Sequence, residues 1–419
     1  MTIDQVAEAP VQEKAVPSLF SNRSFLFLWL SSTASFMALS TYLFAEQWYI
    51  ITVLEKESLL GIVMMATMVP RVLFMTLGGV WADRFRRSRI MLISSFVRCL
   101  LVLGMIFLLQ LSLLALWPLI LFVLCFGIVD AFFSPANTSL LPSVVAKEAL
   151  PRSNSFIQSS NQIALFSGPM LGGWVLSFGS FGSFSLLFGV IAGFLLLTFL
   201  FSSLIKEEKR PLIAGRSSTK LELKEGLSYV WGMPFLKNML VILIFINFFF
   251  FGPLLMGIPL LVDSVLKGEV LDLSFLQSSY QGGMLAGAIL VGILNLRKKR
   301  GLTMLVMIGV LGICLTFLGQ IGFLWQGILL LSLMDILSSF INVTLISTIQ
   351  AQSDPNKIGR VMSLVNASSN GLVPLSYAFV SLALVMQYTI SDVMLLCGML
   401  ILVISSIYLL RSKIIKNVD

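Results

Sequence analysis

Apolar runs of about 20 to 30 residues, each long enough to cross a bilayer as a helix, alternate along this chain with short clusters of charged and turn-forming residues. With those clusters as boundaries, the pattern predicts twelve spans, near 24–53, 58–81, 89–111, 113–141, 153–179, 183–205, 235–262, 273–296, 302–321, 323–350, 359–387 and 391–411. The one long polar interval, 206–234, lies midway and contains "KEEKRP" and then "LELKEGLSYVW". The second segment has the pattern of a short amphipathic helix lying at the membrane interface. The predicted fold is therefore an all-α polytopic membrane protein of twelve transmembrane helices in two pseudo-symmetric six-helix halves. Its parts are a tail (1–22), a first half (23–205), a central loop (206–234), a second half (235–411) and a tail (412–419).

Composition agrees with a membrane solvent. Of 419 residues 57% are hydrophobic and 11% charged, against about 25% charged in soluble domains, and the mean hydropathy is +0.96. The net charge of +8 is scattered between spans rather than gathered on a domain, which argues against a nucleic-acid partner. Its distribution sets the orientation instead. With both termini inside, the outer loops hold Lys56 and Lys267 and the span interiors hold Arg71 and Arg98, leaving 24 of the 28 basic residues in cytosolic segments or at the cytosolic ends of spans. This asymmetry predicts a multi-pass plasma-membrane protein with cytoplasmic termini. The first residues lack the basic region of a secretory signal and are expected to form a cytosolic tail.

Four cysteines stand singly inside apolar runs, the pattern of small core residues, and there is no histidine. Histidine-based metal sites and histidine proton relays are excluded, no metal or cofactor is expected, and proton chemistry must run through carboxylates. No phosphate-binding "GxxxxGK[ST]" loop occurs, so the expected energy source is the proton gradient.

The two halves echo each other. "DAFFSPANTSL" begins at Asp130 and "DILSSFINVTL" at Asp335, each placing an asparagine, Asn137 or Asn342, seven residues on. Arg152 then aligns with Arg360, and Gln158 and Gln162 fall on Asn366 and Asn370. Gly79 and Arg84 correspond to Gly292 and Arg297, with Leu296 in the place of Asp83. Duplicated halves of this kind are a hallmark of secondary transporters.

The densest charge lies in "GGVWADRFRRSRIM", residues 78–91, where one aspartate is set among four arginines. A glycine, an aspartate four residues later and then arginines resemble the loop motif of the major facilitator superfamily. Three further stretches resemble its branch of macrolide-efflux proteins and enterobactin exporters: "FFSPANTSLLPSVV" (132–145), "GPMLGG" (168–173) and "GRVMSL" (359–364). Gly168, Pro169, Gly172 and Gly173 resemble the antiporter signature of the fifth helix. The resemblance implies a latch that closes the cytosolic side. Asp83, following Gly79 and flanked by Arg84 and Arg87, would sit at the start of the eleventh helix near Gly359 and Arg360, where a carboxylate is favourable; a simple salt bridge within the loop is the alternative. Two departures stand out: the usual loop glycine is Arg86 here, and the span-4 arginine of many drug antiporters is absent.

Charges inside a span cost about 2.5–3.5 kcal/mol on insertion scales, so each needs a reason. Here they are Glu46, Arg71, Arg98, Asp130, Asp263 and Asp335. The acids fall on spans 1, 4, 7 and 10, which line the central cavity in the resembling fold. A carboxyl group in an apolar cavity can hold a proton and release it on solvation. Asp130, Asp335 and Glu46 are thus proton-coupling candidates, and Asp263 is a rim acid. Asp130 has a competing structural role as partner of Arg98, and Arg71 is either a structural partner or a substrate ligand. Gln158/Gln162 and Asn366/Asn370, each four apart on one helix face, either contact substrate or join helices, with Asn137, Asn342 and Asn247 as further cavity candidates. Pro253 and Pro259 in "NFFFFGPLLMGIP" (247–259) would kink span 7, and Pro169 would provide a hinge or seal.

The function these features predict is secondary active export, by proton antiport, of an amphipathic small molecule such as a drug, macrolide-like compound, siderophore or other natural product. A nutrient importer or facilitator of the same superfamily is the alternative. A membrane enzyme would need acid–base residues clustered at one surface, and a receptor would need a sizeable soluble domain. The expected partners are the small-molecule substrate and the lipid bilayer, with the protein a monomer.

Overall fold

The computed structural model describes residues 19–179, 182–207, 227–294, 300–354 and 357–411. Twelve long helical segments run through them: α1 (Arg23–Thr52), α2 (Leu60–Arg84), α3 (Arg87–Gln110), α4 (Leu116–Val144), α5 (Leu150–Leu176) and α6 (Gly182–Leu204) in the first half. The second half has α7 (Pro234–Val265), α8 (Val270–Leu294), α9 (Arg300–Leu318), α10 (Leu324–Gln352), α11 (Ile358–Gly371 and Val373–Val385) and α12 (Ile390–Arg411). Ten are long and apolar enough to span a membrane by themselves. The other two, α5 and α8, are long enough but carry many polar residues. They pack on each other across the halves, where Ser278 Oγ donates to the Phe166 carbonyl at 2.9 Å and Gln162 Nε2 to the Gln281 carbonyl at 3.4 Å.

Local chemistry places the helix ends and breaks. Asn22 caps α1, accepting from the Phe25 amide at 3.2 Å, while its Nδ2 donates to the Val144 carbonyl at 2.6 Å and ties α1 to the end of α4. Prolines remove backbone donors inside helices, and neighbouring hydroxyls take up the freed groups. Pro169 leaves the Leu165 carbonyl without its helical partner, and Ser40 Oγ of α1 donates to it at 3.0 Å. In α7 a π-helical turn at Asn247–Phe251 precedes Pro253, and Ser376 of α11 bridges the gap, accepting from the Gly252 amide at 2.9 Å and donating to the Phe248 carbonyl.

The helices pair in the same way in each half. α1 packs on α5 and α6, α2 on α4, and α3 on α4 and α6; α7 packs on α11 and α12, α8 on α10, and α9 on α10 and α12. The α2–α4 crossing depends on bare backbone. A Cβ at Gly127 would collide with the Thr67 carbonyl oxygen, and one at Gly78 with the Ala131 carbonyl oxygen. Gly127→Val is therefore expected to destabilise the protein by about 1–3 kcal/mol, the usual range for overpacking. Gly189→Val, at a position with open space, is the control. Melting temperatures in detergent check this, and equal values for the two variants would refute the tight crossing.

The halves meet through α2 with α11 and α5 with α8. A Cβ at Gly61 would strike Ser381 and Tyr377, and one at Gly173 would strike Ser274. Gln277 Nε2 donates to Gln47 Oε1 at 2.7 Å. These contacts lie away from the face of the bundle at which α1 begins and α12 ends, here called the terminal face. In the central interval residues 227–232 are helical. Tyr229 accepts from the Asp354 amide at 3.1 Å and lies 4.6 Å from Lys357 Nζ. The rest of the amphipathic segment predicted there, up to residue 226, lies outside the described residues.

Candidate functional site

The repeated α4 and α10 sequences each turn one face into a cavity. On α4, Asp130, Ser134, Asn137 and Leu141 follow helical spacing and line a cavity of about 80 Å³ with residues of α1, α2 and α5. On α10, Asp335, Ser338, Asn342 and Leu345 do the same in a cavity of about 290 Å³. The two walls differ in character. The first adds Ser35, Arg71, Asn154, Gln158 and Asn161, whereas the second adds Ile242, Leu243, Phe250, Phe251, Met284 and Met304.

Asp130 is the centre of the first wall. Its Oδ1 accepts from Arg98 Nη1 of α3 at 3.0 Å, and Oδ2 lies 3.1 Å from Arg71 Nε of α2. Arg98 is fully enclosed, with Nη2 donating to Ser35 Oγ at 3.1 Å and the guanidinium 4.2 Å from the Phe133 ring centre. Both spans' arginines thus converge on one carboxylate. Of the two roles the sequence offered for Asp130, the pairing with Arg98 is present in the structure, and Arg71 joins it. Asn137 Nδ2 donates to Ser32 Oγ at 3.0 Å, and Ser32 in turn donates to Asn161 Oδ1 at 3.1 Å.

Asp335 has a different setting. It is 4% exposed, its Oδ2 has no hydrogen-bond partner among the described residues, and Tyr280 of α8 lies beside it. Asn342 and Asn247 line the same cavity, and Asn247 Nδ2 donates to the Leu243 carbonyl at 2.7 Å. Glu46 occupies a third place, where α1, α2 and α11 meet. It is buried, accepts from Thr67 Oγ1 at 3.2 Å and leaves Oε2 without a partner among the described residues. The hydroxyls of Tyr42 and Tyr377 lie close enough to act on its carboxylate. Asp263 sits at the rim opposite the terminal face, beside Glu57.

The polar pair Gln158/Gln162 divides its work. Gln158 lines the first cavity, while Gln162 Nε2 donates to the Gln281 carbonyl at 3.4 Å in the α5–α8 seam. In the "GPMLGG" element, Gly168 and Gly172 admit Ser40 and Phe44 of α1, Gly173 admits Ser274 of α8, and Pro169 is buried between them. The side chains of Arg360, Asn366 and Asn370 lie outside the described residues, as do Leu296 and Arg297.

The loop motif is found apart from its expected target. Asp83 is exposed and makes no hydrogen bond or ion pair among the described residues, and neither Gly79 nor Gly359 has a neighbour against it. Arg84 is also exposed, and Arg87 approaches Glu207, Nη1 to Oε1, at 4.0 Å. A different carboxylate caps a helix here. Glu207 accepts from the Arg87 and Ser88 amides at 3.3 and 3.1 Å, at the start of α3. Among the described residues, the contact of Asp83 with the start of α11 is therefore not made in this form. Asp83→Asn is expected to leave the melting temperature of this form unchanged yet slow transport severalfold, since the favourable helix-end charge is lost only in the closed form. Unchanged transport in well-expressed protein would rule the latch out.

Sequence reasoning missed Tyr280, Tyr377, Thr67, Ser35 and Glu207. The hydroxyl residues are common in these helices and gave no pattern; Glu207 sat in the polar interval midway along the chain, where no single residue stood out.

Comparison with known proteins follows from this geometry. The family described as Major Facilitator Superfamily matches residues 28–376. Macrolide efflux protein A of Streptococcus pyogenes is 23% identical over 77% of this chain and 78% of its own. An uncharacterized MFS-type transporter of Bacillus subtilis, YjbB, is 46% identical over 57 residues, a match spanning 14% of each chain. Among solved structures the nucleoside transporter NupG superposes with a TM-score of 0.73 at 13% identity, over 93% of this chain and 99% of that one.

Proposed function

The chain belongs to the major facilitator superfamily of membrane transporters, and from that premise we propose that it exports an amphipathic small molecule in exchange for protons. One observation carries the reading: an acid with no cation beside it and one oxygen without a partner among the described residues, Asp335, lines a mostly apolar cavity large enough for part of a drug-sized ligand. Charge there is expensive unless compensated, so proton binding and substrate binding compete on the same carboxyl group. Glu46, buried at the junction of the halves, is the second group placed to feel both the proton and the closure of the bundle. Alternating access then rocks the halves about the two cavities. Similarity to macrolide efflux proteins supports the outward direction.

The test is accumulation of a panel of labelled amphipathic compounds in efflux-deficient cells with and without the protein, each with and without an uncoupler. Lower accumulation that the uncoupler abolishes supports proton-driven export. Gradient-driven accumulation into cells would instead identify an importer of the same superfamily.

A further inference from the structure

The two arginines that share Asp130 leave the first wall with one positive charge more than its acid cancels, and no other acid lines that cavity. They are not equivalent. Arg98 is enclosed by Asp130, Ser35 and the Phe133 ring. Arg71 has a 38% exposed side chain, reaches Asp130 only through Nε, and borders the cavity. Its two terminal amino groups have no protein partner among the described residues. Around it stand neutral amides rather than acids, among them Asn137, Asn154, Gln158 and Asn161.

An under-compensated guanidinium in a partly dry site attracts an anion, and its fork of donors matches a carboxylate or phosphate. The volume is also informative. About 80 Å³ holds a head group rather than a whole drug-sized ligand, whereas the apolar cavity of the second half holds about 290 Å³.

We propose that Arg71 anchors an anionic oxygen group, a carboxylate or phosphate, carried by the transported amphiphile, whose apolar body packs against the second half. Arg71 is then a substrate ligand held in place by Asp130, and Arg98 is the buried support beneath them. This rests on the export reading above and narrows its substrate to amphipathic acids. A cationic amine would meet a wall of its own sign at this point.

Equilibrium binding without any gradient tests the idea. Purified full-length protein in phosphatidylcholine nanodiscs is melted in concentration series of 2-naphthoate, 2-naphthamide and 2-naphthylmethylamine, since a ligand specific to the folded state raises the melting temperature. The acid is expected to stabilise wild type at concentrations at least about tenfold below the amide, the amine being weakest, a ratio reasonable for one charge-assisted pair. Arg71→Gln should abolish the preference for the acid, and Arg71→Lys should restore part of it. No preference in wild type, or a preference that survives in Arg71→Gln, overturns the proposal. Should Arg71→Gln not fold, the order of the three probes on wild type decides. A second series in discs containing phosphatidylglycerol separates the sources. If that lipid suppresses the naphthoate effect in wild type, the anion site takes a lipid headgroup; if not, it takes the free acid. Acid that binds at Arg71 but is never driven outward in cells would leave this assignment standing and count against export.

Discussion

Asp130→Ala is expected to yield little or no monodisperse protein, with any folded fraction melting well below wild type. Arg98 is 0% exposed and Asp130 is its carboxylate partner, and Arg71 leans on the same group. Removing one member of a buried pair leaves an uncompensated charge and costs about 3–5 kcal/mol, a large share of the roughly 5–15 kcal/mol that holds a typical protein folded. The loss comes from the stranded arginine, not from a missing attraction. Replacing both partners in Asp130→Leu with Arg98→Met should therefore recover much of the folded yield, because well-packed apolar residues substitute for a buried ion pair at little cost. Size-exclusion profiles and melting curves of the single and double variants check this. An alanine variant that melts like wild type would show that Arg98 finds another counter-ion.

Asp335→Asn is expected to do the opposite: fold normally and lose transport. The residue occupies the α10 position that corresponds to Asp130 in α4, yet it holds no arginine, and one oxygen has no partner among the described residues. Asparagine keeps the shape and an acceptor, so stability should change by no more than about 1 kcal/mol, the scale of one ordinary hydrogen bond. It cannot gain or lose a proton, however, and an intramembrane acid of this kind marks a proton pathway. Gradient-driven export should fall by about tenfold or more, with the uncoupler making no further difference. Melting temperature and accumulation are measured on the same preparation. Wild-type export by Asp335→Asn, still sensitive to the uncoupler, would move the coupling role to Glu46. Glu46→Gln would then be the variant that loses it.

The contrast between these two acids shows where the sequence alone stops. The duplication places Asp130 and Asp335 in equivalent positions, and both qualify as coupling groups by residue type and depth. What separates them is which side chains the neighbouring helices bring near. Arg71 and Arg98 come from α2 and α3, and the approach of Arg71 to Asp130 depends on the α2–α4 crossing that Gly78 and Gly127 permit. Beside Asp335 lies Tyr280 of α8, and the position that matches Arg71 on the repeat is Met284. Spacing in the chain offered Arg98 as a partner but could not show that Arg71 joins it.

Helix positions were legible because a membrane helix satisfies its own backbone within one contiguous apolar segment. That condition is local, so length and charge boundaries placed the spans within a few residues, even for α5 and α8, which carry many polar residues. The repeat, the arginine-rich loop and the family resemblance were likewise written in contiguous residues. Three things were not. The commitment of Asp130, the hydroxyls that occupy the carbonyls freed by Pro169 and Pro253, and the separation of Asp83 from the start of α11 all join residues far apart in the chain. Such contacts depend on helix crossings and on which of two bundle conformations is formed, and neither is a property of any single segment. Sequence by itself determined the spans, the duplication and the stock of charges; tertiary structure decided which charges cancel, which acid has no cation beside it, and whether Asp83 reaches the start of α11.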